Sequence, residues 1–251
     1  MKTFTSILFI VVLIFFCSSC KRTLYVPNMQ NVPLLKEKNE IRASFTPSNV
    51  QAAYGITNGL GLMLNAHFPN SLTLQELEGD LSTKRRFYEG GIGYFTKVNE
   101  LGVFEIYGGV GKGKVSFDNR GNNIKDKFSS KFSRYFIQPS IGWTLENVDL
   151  AISLRYTRLS FYDLDTSEYI FDASKGFDQD LSLIDQNSYS FVEPAITLRL
   201  GMKYAKSFFQ LQRVAQLNSE IIEYRDMQYT FGIHINIAKR FEEKPIINGL
   251  D

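Results

Sequence analysis

The sequence predicts an all-β protein, a single up-and-down antiparallel transmembrane β-barrel that follows a lipoprotein signal peptide. Three observations lead to this fold class. Apolar and polar residues alternate with a period of two, the alternating segments are about ten residues long or longer, and short turns alternate with long polar connections. After residue 20 no run of roughly 18 apolar residues occurs, which excludes helical membrane spans.

The first twenty residues have the pattern of an export signal. The apolar run at residues 7–16 is too short to cross a bilayer as a helix, but it suits the central region of a signal peptide. Two serines then precede Cys20, as in a bacterial lipobox. We therefore predict that residues 1–19 are removed and that Cys20 becomes the lipidated N-terminus. An ordinary signal peptide with two incidental cysteines is the alternative.

Both cysteines of the chain lie in this leader. The rest of the chain therefore has neither a disulfide framework nor a thiolate nucleophile or a Cys-based metal site. Cys17 is the poorer candidate for lipidation because the bulky Phe16 precedes it. Lys+Arg 28 against Asp+Glu 26 is close to balance, so the composition gives no argument for nucleic-acid binding.

The predicted barrel has ten strands, with eight as the alternative. In residues 150–157, for example, Leu, Ile, Leu and Tyr alternate with Ala, Ser, Arg and Thr, and Asn58-Gly59 is a strong hairpin signal. The predicted strands cover residues 40–46, 49–57, 60–68, 84–96, 103–116, 131–145, 149–161, 188–201, 205–214 and 227–238.

The connections alternate in length along the chain. Those at 58–59, 97–102, 146–148 and 202–204 are short, and those at 69–83, 117–130, 162–187 and 215–226 are long and polar. Outer-membrane barrels have short periplasmic turns and longer extracellular loops. The sequence therefore predicts an outer-membrane location, with the lipid anchor on the periplasmic side beside the short turns.

Around the barrel, residues 40–240, the sequence predicts two flanking segments. Residues 20–39 form a lipidated N-terminus and an extended linker, because Pro27 and Pro33 oppose a helix. Residues 241–251 form a short polar tail.

The apolar phase of each strand faces lipid if the barrel spans a membrane, whereas a soluble sandwich or a lipocalin-like barrel would turn it inward. Aromatic residues in this phase fall near the strand ends, as expected for two interfacial belts. They are Tyr88, Tyr135, Tyr156 and Tyr229 at the outer ends, and Tyr54, Tyr94 and Trp143 at the periplasmic ends.

Six charged residues share the inward phase. They are Glu89, Glu105, Glu193, Arg134, Arg155 and Arg199. Acids and arginines that alternate in a narrow lumen can form a hydrogen-bonded charge ladder, which fills the barrel. The functional alternative is a selectivity filter for a small solute.

No catalytic, metal or cofactor site is identified in the sequence. The glycine-rich segment 108–116 lacks the Ser or Thr that must follow the lysine of a phosphate loop, so its glycines are read as relief of crowding in a narrow barrel. His67 and His234 both fall in the inward phase, where a hydrolase of lipid acyl chains would not place them. The acidic connection 162–187 is a possible site for a protein partner or a divalent cation that bridges to lipopolysaccharide.

Several short segments together resemble a known family. They read YVPN at 25–28, NVPLL at 31–35, QAAYGIT at 51–57, FEIYGG at 104–109, FIQPSIG at 136–142 and FVEP at 191–194. The chain resembles the small Bacteroidota-type outer-membrane β-barrel lipoproteins of unknown function. The resemblance covers most of residues 20–240 and implies a location and an architecture, but no activity.

The expected function is therefore that of an outer-membrane lipoprotein with a structural or interaction role and no enzymatic activity. Its expected partners are outer-membrane lipid and lipopolysaccharide. The alternatives are a lipid-modifying acyl hydrolase, a small-solute channel and a periplasmic lipocalin-like ligand-binding barrel.

Overall fold

The computed structural model describes residues 23–69, 81–119, 126–168, 181–218 and 222–241. In this part of the chain the strands form a closed antiparallel barrel of ten strands, which confirms the predicted all-β barrel and favours ten strands over eight. The leader 1–19, Cys20 and most of the tail 241–251 lie outside the described residues.

The strands follow one another around the barrel. They are β1 (Ile41–Phe45), β2 (Asn49–Gly55), β3 (Leu60–His67), β4 (Leu81–Lys97), β5 (Gly102–Asn119), β6 (Asp126–Thr144), β7 (Val148–Glu168), β8 (Ser188–Gly201), β9 (Ala205–Arg213), β10 (Ala215–Gln216) and β11 (Met227–Ile237). Strand β10 continues β9 beyond Val214, since both pair with β8. The barrel closes where β11 pairs with β1, with Ile41 opposite Ile237.

The two ends of the barrel differ. The connections 56–59, 98–101, 145–147 and 202–204 lie at one end, called here the turn end. The longer connections lie at the other end, the loop end, together with one short connection at 46–48 that the sequence pattern did not single out. There the Thr46 hydroxyl accepts hydrogen bonds from the backbone N–H groups of Ser48 and Asn49, which closes a tight turn.

The wall of the barrel is uneven in height. Strands β1, β2 and β3 have 5, 7 and 8 residues, whereas β4 to β7 have 17, 18, 19 and 21. The additional residues of β4 to β7 extend the wall at the loop end, which we call the tall wall. Two short 3-10 helices, Leu181–Gln186 and Lys239–Phe241, lie near the loop end and the turn end respectively.

The exterior of the barrel is apolar and the interior is polar. Ile152 is 50% exposed, while its neighbour Ser153 is 2% exposed. The same alternation holds for Tyr135, 60% exposed, and the buried Arg134. The predicted inward and outward phases are therefore correct. No helix in the described part of the chain is long and apolar enough to span a membrane.

The loop end of the lumen is closed by an aromatic and aliphatic cluster. Its rings include a stacked pair, Phe117 and Phe128, with centroids 4.8 Å apart. Leu181 and Ile184 of the first 3-10 helix pack into the same cluster. Burial of these side chains against each other excludes water from the interior at this end.

The N-terminal segment of residues 23–36 runs through the lumen, and we call it the strap. It begins at the loop end, where Arg85 of β4 donates a hydrogen bond to the carbonyl of Thr23. It ends at the turn end, where the Lys36 ammonium donates to the carbonyls of Glu100, at 3.0 Å, and Thr144, at 3.4 Å. The sequence predicted an extended linker for this segment, and the structure places residues 23–36 inside the lumen of the barrel.

Candidate functional site

The strap and the side chains that hold it form the most elaborate polar site of the described chain. Near the loop end, the Tyr25 ring stacks on Phe191 with centroids 4.6 Å apart. The Tyr25 hydroxyl donates to Glu193 Oε1 at 2.6 Å and accepts from Arg134 Nη1 at 3.2 Å. One strap side chain thus connects two of the predicted lumen charges.

Gln30 lies at mid-lumen and has all of its polar groups bonded. Its backbone N–H donates to Gln210 Oε1 at 2.8 Å, and its carbonyl accepts from Gln210 Nε2 at 2.9 Å. Its side-chain amide donates to the Glu193 carbonyl at 2.5 Å and accepts from the Ser153 hydroxyl at 2.7 Å. Gln210 therefore pairs with the strap backbone much as a neighbouring strand would.

Asn31, the next strap residue, is held by three other strands. Its side-chain amide donates to Asn65 Oδ1 at 2.8 Å and to the Ala52 carbonyl at 3.1 Å. Its carbonyl accepts from Gln138 Nε2 at 2.7 Å. An extended segment inside a barrel has no neighbouring strand to pair with. Hydrogen bonds from side chains must therefore satisfy its buried backbone N–H and C=O groups.

Hydrogen bonds to the wall continue along the strap as far as the turn end. The Leu34 N–H donates to Glu105 Oε2 at 2.8 Å, and Arg199 donates to the carbonyl of Val32. Leu34 has a φ of 54°, an unfavourable value for a residue with a branched side chain. This local cost is offset by full burial of the Leu34 side chain and by its bond to Glu105.

The predicted charge ladder is present in part. Glu89, Arg134 and Arg155, which we call the central charge group, are all buried. Arg134 donates directly to Glu89, and Arg155 Nη1 lies 3.4 Å from Glu89 Oε1. Two nitrogens of Arg155 also donate to Gln138 Oε1, at 2.8 and 2.6 Å.

The other three predicted ladder residues are buried but do not join this group. Glu193 bonds to Tyr25 and to Gln212 Nε2, and Glu105 bonds to the strap backbone. Arg199 lies 3.8 Å from Asp149 Oδ2. The six residues therefore line one lumen, as predicted, but they are divided among the strap and two charge groups.

A second cluster, the turn-side charge group, was not predicted from the sequence. It consists of Glu40, Arg42, Asp149, Lys206 and Arg240, and the predicted ladder residue Arg199 joins it through Asp149. Arg42 Nε lies 2.7 Å from Glu40 Oε1. The two terminal nitrogens of Arg240 donate hydrogen bonds to both carboxylate oxygens of Glu40, at 2.7 and 2.8 Å. Lys206 Nζ lies 2.7 Å from Asp149 Oδ1. Arg42 and Asp149 share the inward phase of their strands, so the alternation could have identified them.

A cavity of about 330 Å³ opens beside the turn-side charge group. Lys36 at the end of the strap lines it, and burial together with the charges of Arg240 and Arg42 lowers the Lys36 pKa to about 8. Burial alone would raise the pKa of Glu40, but Arg42 and Arg240 outweigh it and lower that pKa to about 2. The mouth at the turn end is thus polar and charged, unlike the apolar loop end.

The two histidines do not form a catalytic or metal site in the described residues. His234 is buried, and its Nδ1 lies 2.9 Å from the Ser44 hydroxyl, while its Nε2 has no hydrogen-bond partner. A Ser–His–acid triad needs a carboxylate on the second nitrogen, and none bonds there. His67 is half-buried on β3, separated from β11 by two strands. No group of three or more potential metal ligands occurs in the part of the chain that the structure describes.

The glycine-rich segment lies within β5, as expected for a strand rather than a phosphate loop. A Cβ atom on Gly109 would lie 2.4 Å from the Gly90 carbonyl oxygen and 2.5 Å from the Phe136 ring. Only glycine fits at this position without displacing the backbone. The interpretation of the segment as relief of crowding inside the barrel is therefore supported.

The acidic connection 162–187 is described only in part. Residues 169–180, with Asp172, Asp178 and Asp180, lie outside the described residues. Asp163 continues β7, and its Oδ2 lies 2.5 Å from Lys131 Nζ at the surface.

No family model matches the chain, and no curated protein matches it either. The resemblance to small outer-membrane barrel lipoproteins therefore stays a prediction. What can be inferred about function comes from the barrel, its lumen and its two ends.

Proposed function

We propose that this chain is an outer-membrane lipoprotein β-barrel with a structural or interaction role, closed by its own N-terminal strap. The polarity of the wall supports this proposal most directly. The exterior is a continuous band of Leu, Ile, Val and aromatic side chains, whereas the interior holds buried charges and amides. In water such a band would be far larger than the apolar patches that monomeric proteins expose, but lipid would cover it.

The exterior aromatic residues support the same proposal. Tyr88 and Tyr94 face outward on β4, six residues apart, and are 53% and 54% exposed. Tyr135 and Trp143 face outward on β6 in the same way. Rings with a polar group are favoured where the hydrocarbon layer meets water, so two levels of such rings are expected at the edges of an apolar band.

The filled lumen argues against two alternatives. A lipocalin-like calyx needs an apolar cavity for its ligand, but the middle of this lumen is packed with the strap, Glu89, Arg134 and Arg155. A channel needs a continuous aqueous path, which the strap blocks. We expect the wild-type protein to show no steady current in planar bilayers; stable currents would favour the channel.

The direction of the strap bears on where the lipid anchor lies. Thr23 is at the loop end, and Cys20 precedes it by three residues, which can span at most about 11 Å. If the short turns face the periplasm, Cys20 is then near the extracellular face. We therefore propose that the lipid of Cys20 enters the outer leaflet, and not the periplasmic side that the sequence alone favoured.

Membrane fractionation tests the barrel without its anchor. The mature chain with Cys20→Ser, exported by a signal peptide that is not lipidated, should stay in the outer membrane after alkaline extraction because its strands hold it there. Cys17→Ala in the natural leader is the matched control, and it should leave labelling by a palmitate analogue unchanged. Recovery of the Cys20→Ser chain as a soluble periplasmic protein would contradict a membrane barrel.

Thiol labelling on intact cells tests the anchor side. The mature chain has no cysteine other than Cys20, so Thr23→Cys and Met202→Cys each introduce one free thiol at opposite ends of the barrel. A membrane-impermeant maleimide should label position 23 on intact cells, and position 202 only after the outer membrane is permeabilised. The reverse pattern would return the anchor to the periplasmic side.

A further inference from the structure

Seven cations lie on the exterior of the tall wall, at and beyond the level of the outer rings Tyr88 and Tyr135. Lys127 is directly opposite Glu168 on β7, and the other six form one group. They are Lys84, Arg86, Lys112, Lys114, Lys131 and Arg158, and we call them the basic patch. All six side chains are exposed. They alternate with inward-facing residues such as Phe87 and Val115, so their outward direction follows from the strand register.

Three members of the basic patch lie side by side on adjacent strands. Arg86 on β4 is directly opposite Lys114 on β5, and Lys114 is directly opposite Lys131 on β6. Directly opposed residues have Cβ atoms about 4.5–5.5 Å apart, and like charges in that arrangement destabilise a sheet. A row of three cations therefore favours a bound anion, and the wall provides one, Asp163, at the end of the row beside Lys131.

Few carboxylates compensate this charge. Lys131 pairs with Asp163, which is exposed. Among the described residues, Lys84, Arg86, Lys112, Lys114 and Arg158 form no ion pair within 4.0 Å. The row thus retains an uncompensated positive charge on a surface that water or a ligand can reach.

The height of the basic patch on the wall bears on the kind of ligand that could reach it. Lys112 is directly opposite Tyr88, and Arg158 is directly opposite Tyr135. The cations therefore begin at the level of the outer aromatic rings and extend away from the apolar band. In a membrane this is the level of the lipid headgroups, where lysine and arginine extend their charged ends into the interface.

We propose that the basic patch binds the phosphate groups of anionic lipid in the outer leaflet. Arginine offers paired N–H donors that match two phosphate oxygens, and the flanking lysines supply further positive charge at the same site. The inference rests on the proposed outer-membrane location and adds a lipid partner and a binding face to it. The face is confined to β4–β7, so bound lipid would lie on one side of the barrel only.

Binding of a defined lipid tests the proposal. The variant Arg86→Gln/Lys114→Gln/Lys131→Gln removes the row, and Lys38→Gln/Lys97→Gln/Lys239→Gln removes the same charge from exposed sites at the turn end. Each purified protein, in neutral detergent, is titrated with a lipid disaccharide that carries two phosphates, with its dephosphorylated form and with inorganic phosphate, and bound lipid is counted by native mass spectrometry. We expect the row variant to bind the phosphorylated lipid roughly tenfold to a hundredfold more weakly than wild type, and the turn-end variant to bind it like wild type.

Other outcomes overturn the proposal in distinguishable ways. Equal losses of lipid affinity in the row variant and the turn-end variant would show general charge attraction. If wild type binds the dephosphorylated and the phosphorylated lipid with equal affinity, acyl chains alone drive binding. Inorganic phosphate that binds as tightly as the lipid would indicate a site for the free anion.

A second experiment separates the proposed membrane location from the proposed lipid site. Each protein is inserted into neutral phosphatidylcholine vesicles, and folding is followed by the heat-dependent gel shift of the barrel. If wild type fails to insert, the proposed membrane location fails. If both proteins insert but the row variant keeps its lipid affinity, only the lipid site fails. The row variant should fold about as well as wild type, since it loses like-charge repulsion together with one exposed ion pair, Lys131–Asp163.

Discussion

The central and the turn-side charge groups occupy the same lumen but are built differently. Glu89 in the centre is bonded by Arg134, Arg155 and the neutral amide of Asn65, and none of these groups reaches water. Glu40 at the turn end is bonded by two arginines beside an open cavity, and one of them, Arg240, is 24% exposed. The difference indicates that the centre depends on a complete set of partners, whereas the turn end can exchange a partner for water.

The largest expected effect on stability comes from removing one member of the central charge group. Arg134→Ala should lower the free energy of unfolding by about 3–5 kcal/mol, because Glu89 loses its closest counter-charge in a dry site. The free energy is measured by urea unfolding in micelles. The temperature at which the folded barrel loses its characteristic gel mobility provides a second measure.

Two variants sharpen this result. Replacing the whole group, Arg134→Met, Glu89→Gln and Arg155→Met, should recover part of the loss, since no unpaired member of the central charge group then remains. Arg240→Ala at the turn end should cost less than Arg134→Ala, because Arg42 stays on Glu40 and water can enter. Equal costs at the two sites would mean that the groups do not differ as described.

A smaller effect is expected from acid at the turn end. The pKa of Glu40 is about 2 in the folded protein against 4.5 for the free group. Its ionised form therefore stabilises the fold at pH values above about 4.5, and this stability, about 3 kcal/mol, is lost as the pH falls towards 2.

Comparison with Glu40→Gln isolates this contribution. The difference in unfolding free energy between wild type and the variant should shrink steadily as the pH falls from about 5 to about 2. A difference that stays constant over this range would show that Glu40 is not the titrating group.

The smallest expected effect concerns the loop end of the strap. Tyr25→Phe keeps the ring on Phe191 but removes the hydroxyl that bonds to Glu193, which should cost about 2 kcal/mol. Tyr224→Phe is the matched control, because this ring also contacts Phe191, with centroids 5.5 Å apart, and its hydroxyl bonds to no described residue. The two variants should differ in urea midpoint; if they behave alike, the bond to Glu193 contributes nothing to the stability of the strap.

Strand positions could be read from the sequence because the period-two pattern is a local signal. Residues 188–201 were predicted to the residue, and most other boundaries to within a few. The tall wall was predicted too short, since its outermost residues, among them Lys127 and Asp165, carry no apolar outward phase. Where a strand extends beyond the apolar exterior band, it loses the alternation by which a sequence reveals it.

The lumen contacts could be predicted only as a set of inward-facing residues. Which of them meet depends on the stagger of strands around the closed barrel, and the sequence pattern does not define that stagger. The position of the strap inside the lumen could not be predicted for a similar reason. Gln30 and its partner Gln210 are 180 residues apart, and residues 23–36 show neither helical nor strand periodicity.

The path of the strap has a consequence for assembly. The ring is completed by β11 pairing with β1, the last described strand with the first. The strap precedes β1 directly and passes back through the ring that this pairing closes. If Cys20 carries the proposed lipid, that chain end is too bulky to pass through a finished lumen, so the wall would have to close around a strap already in place. The barrel would then deliver its own N-terminus to the opposite face as it folds, without a separate translocation step.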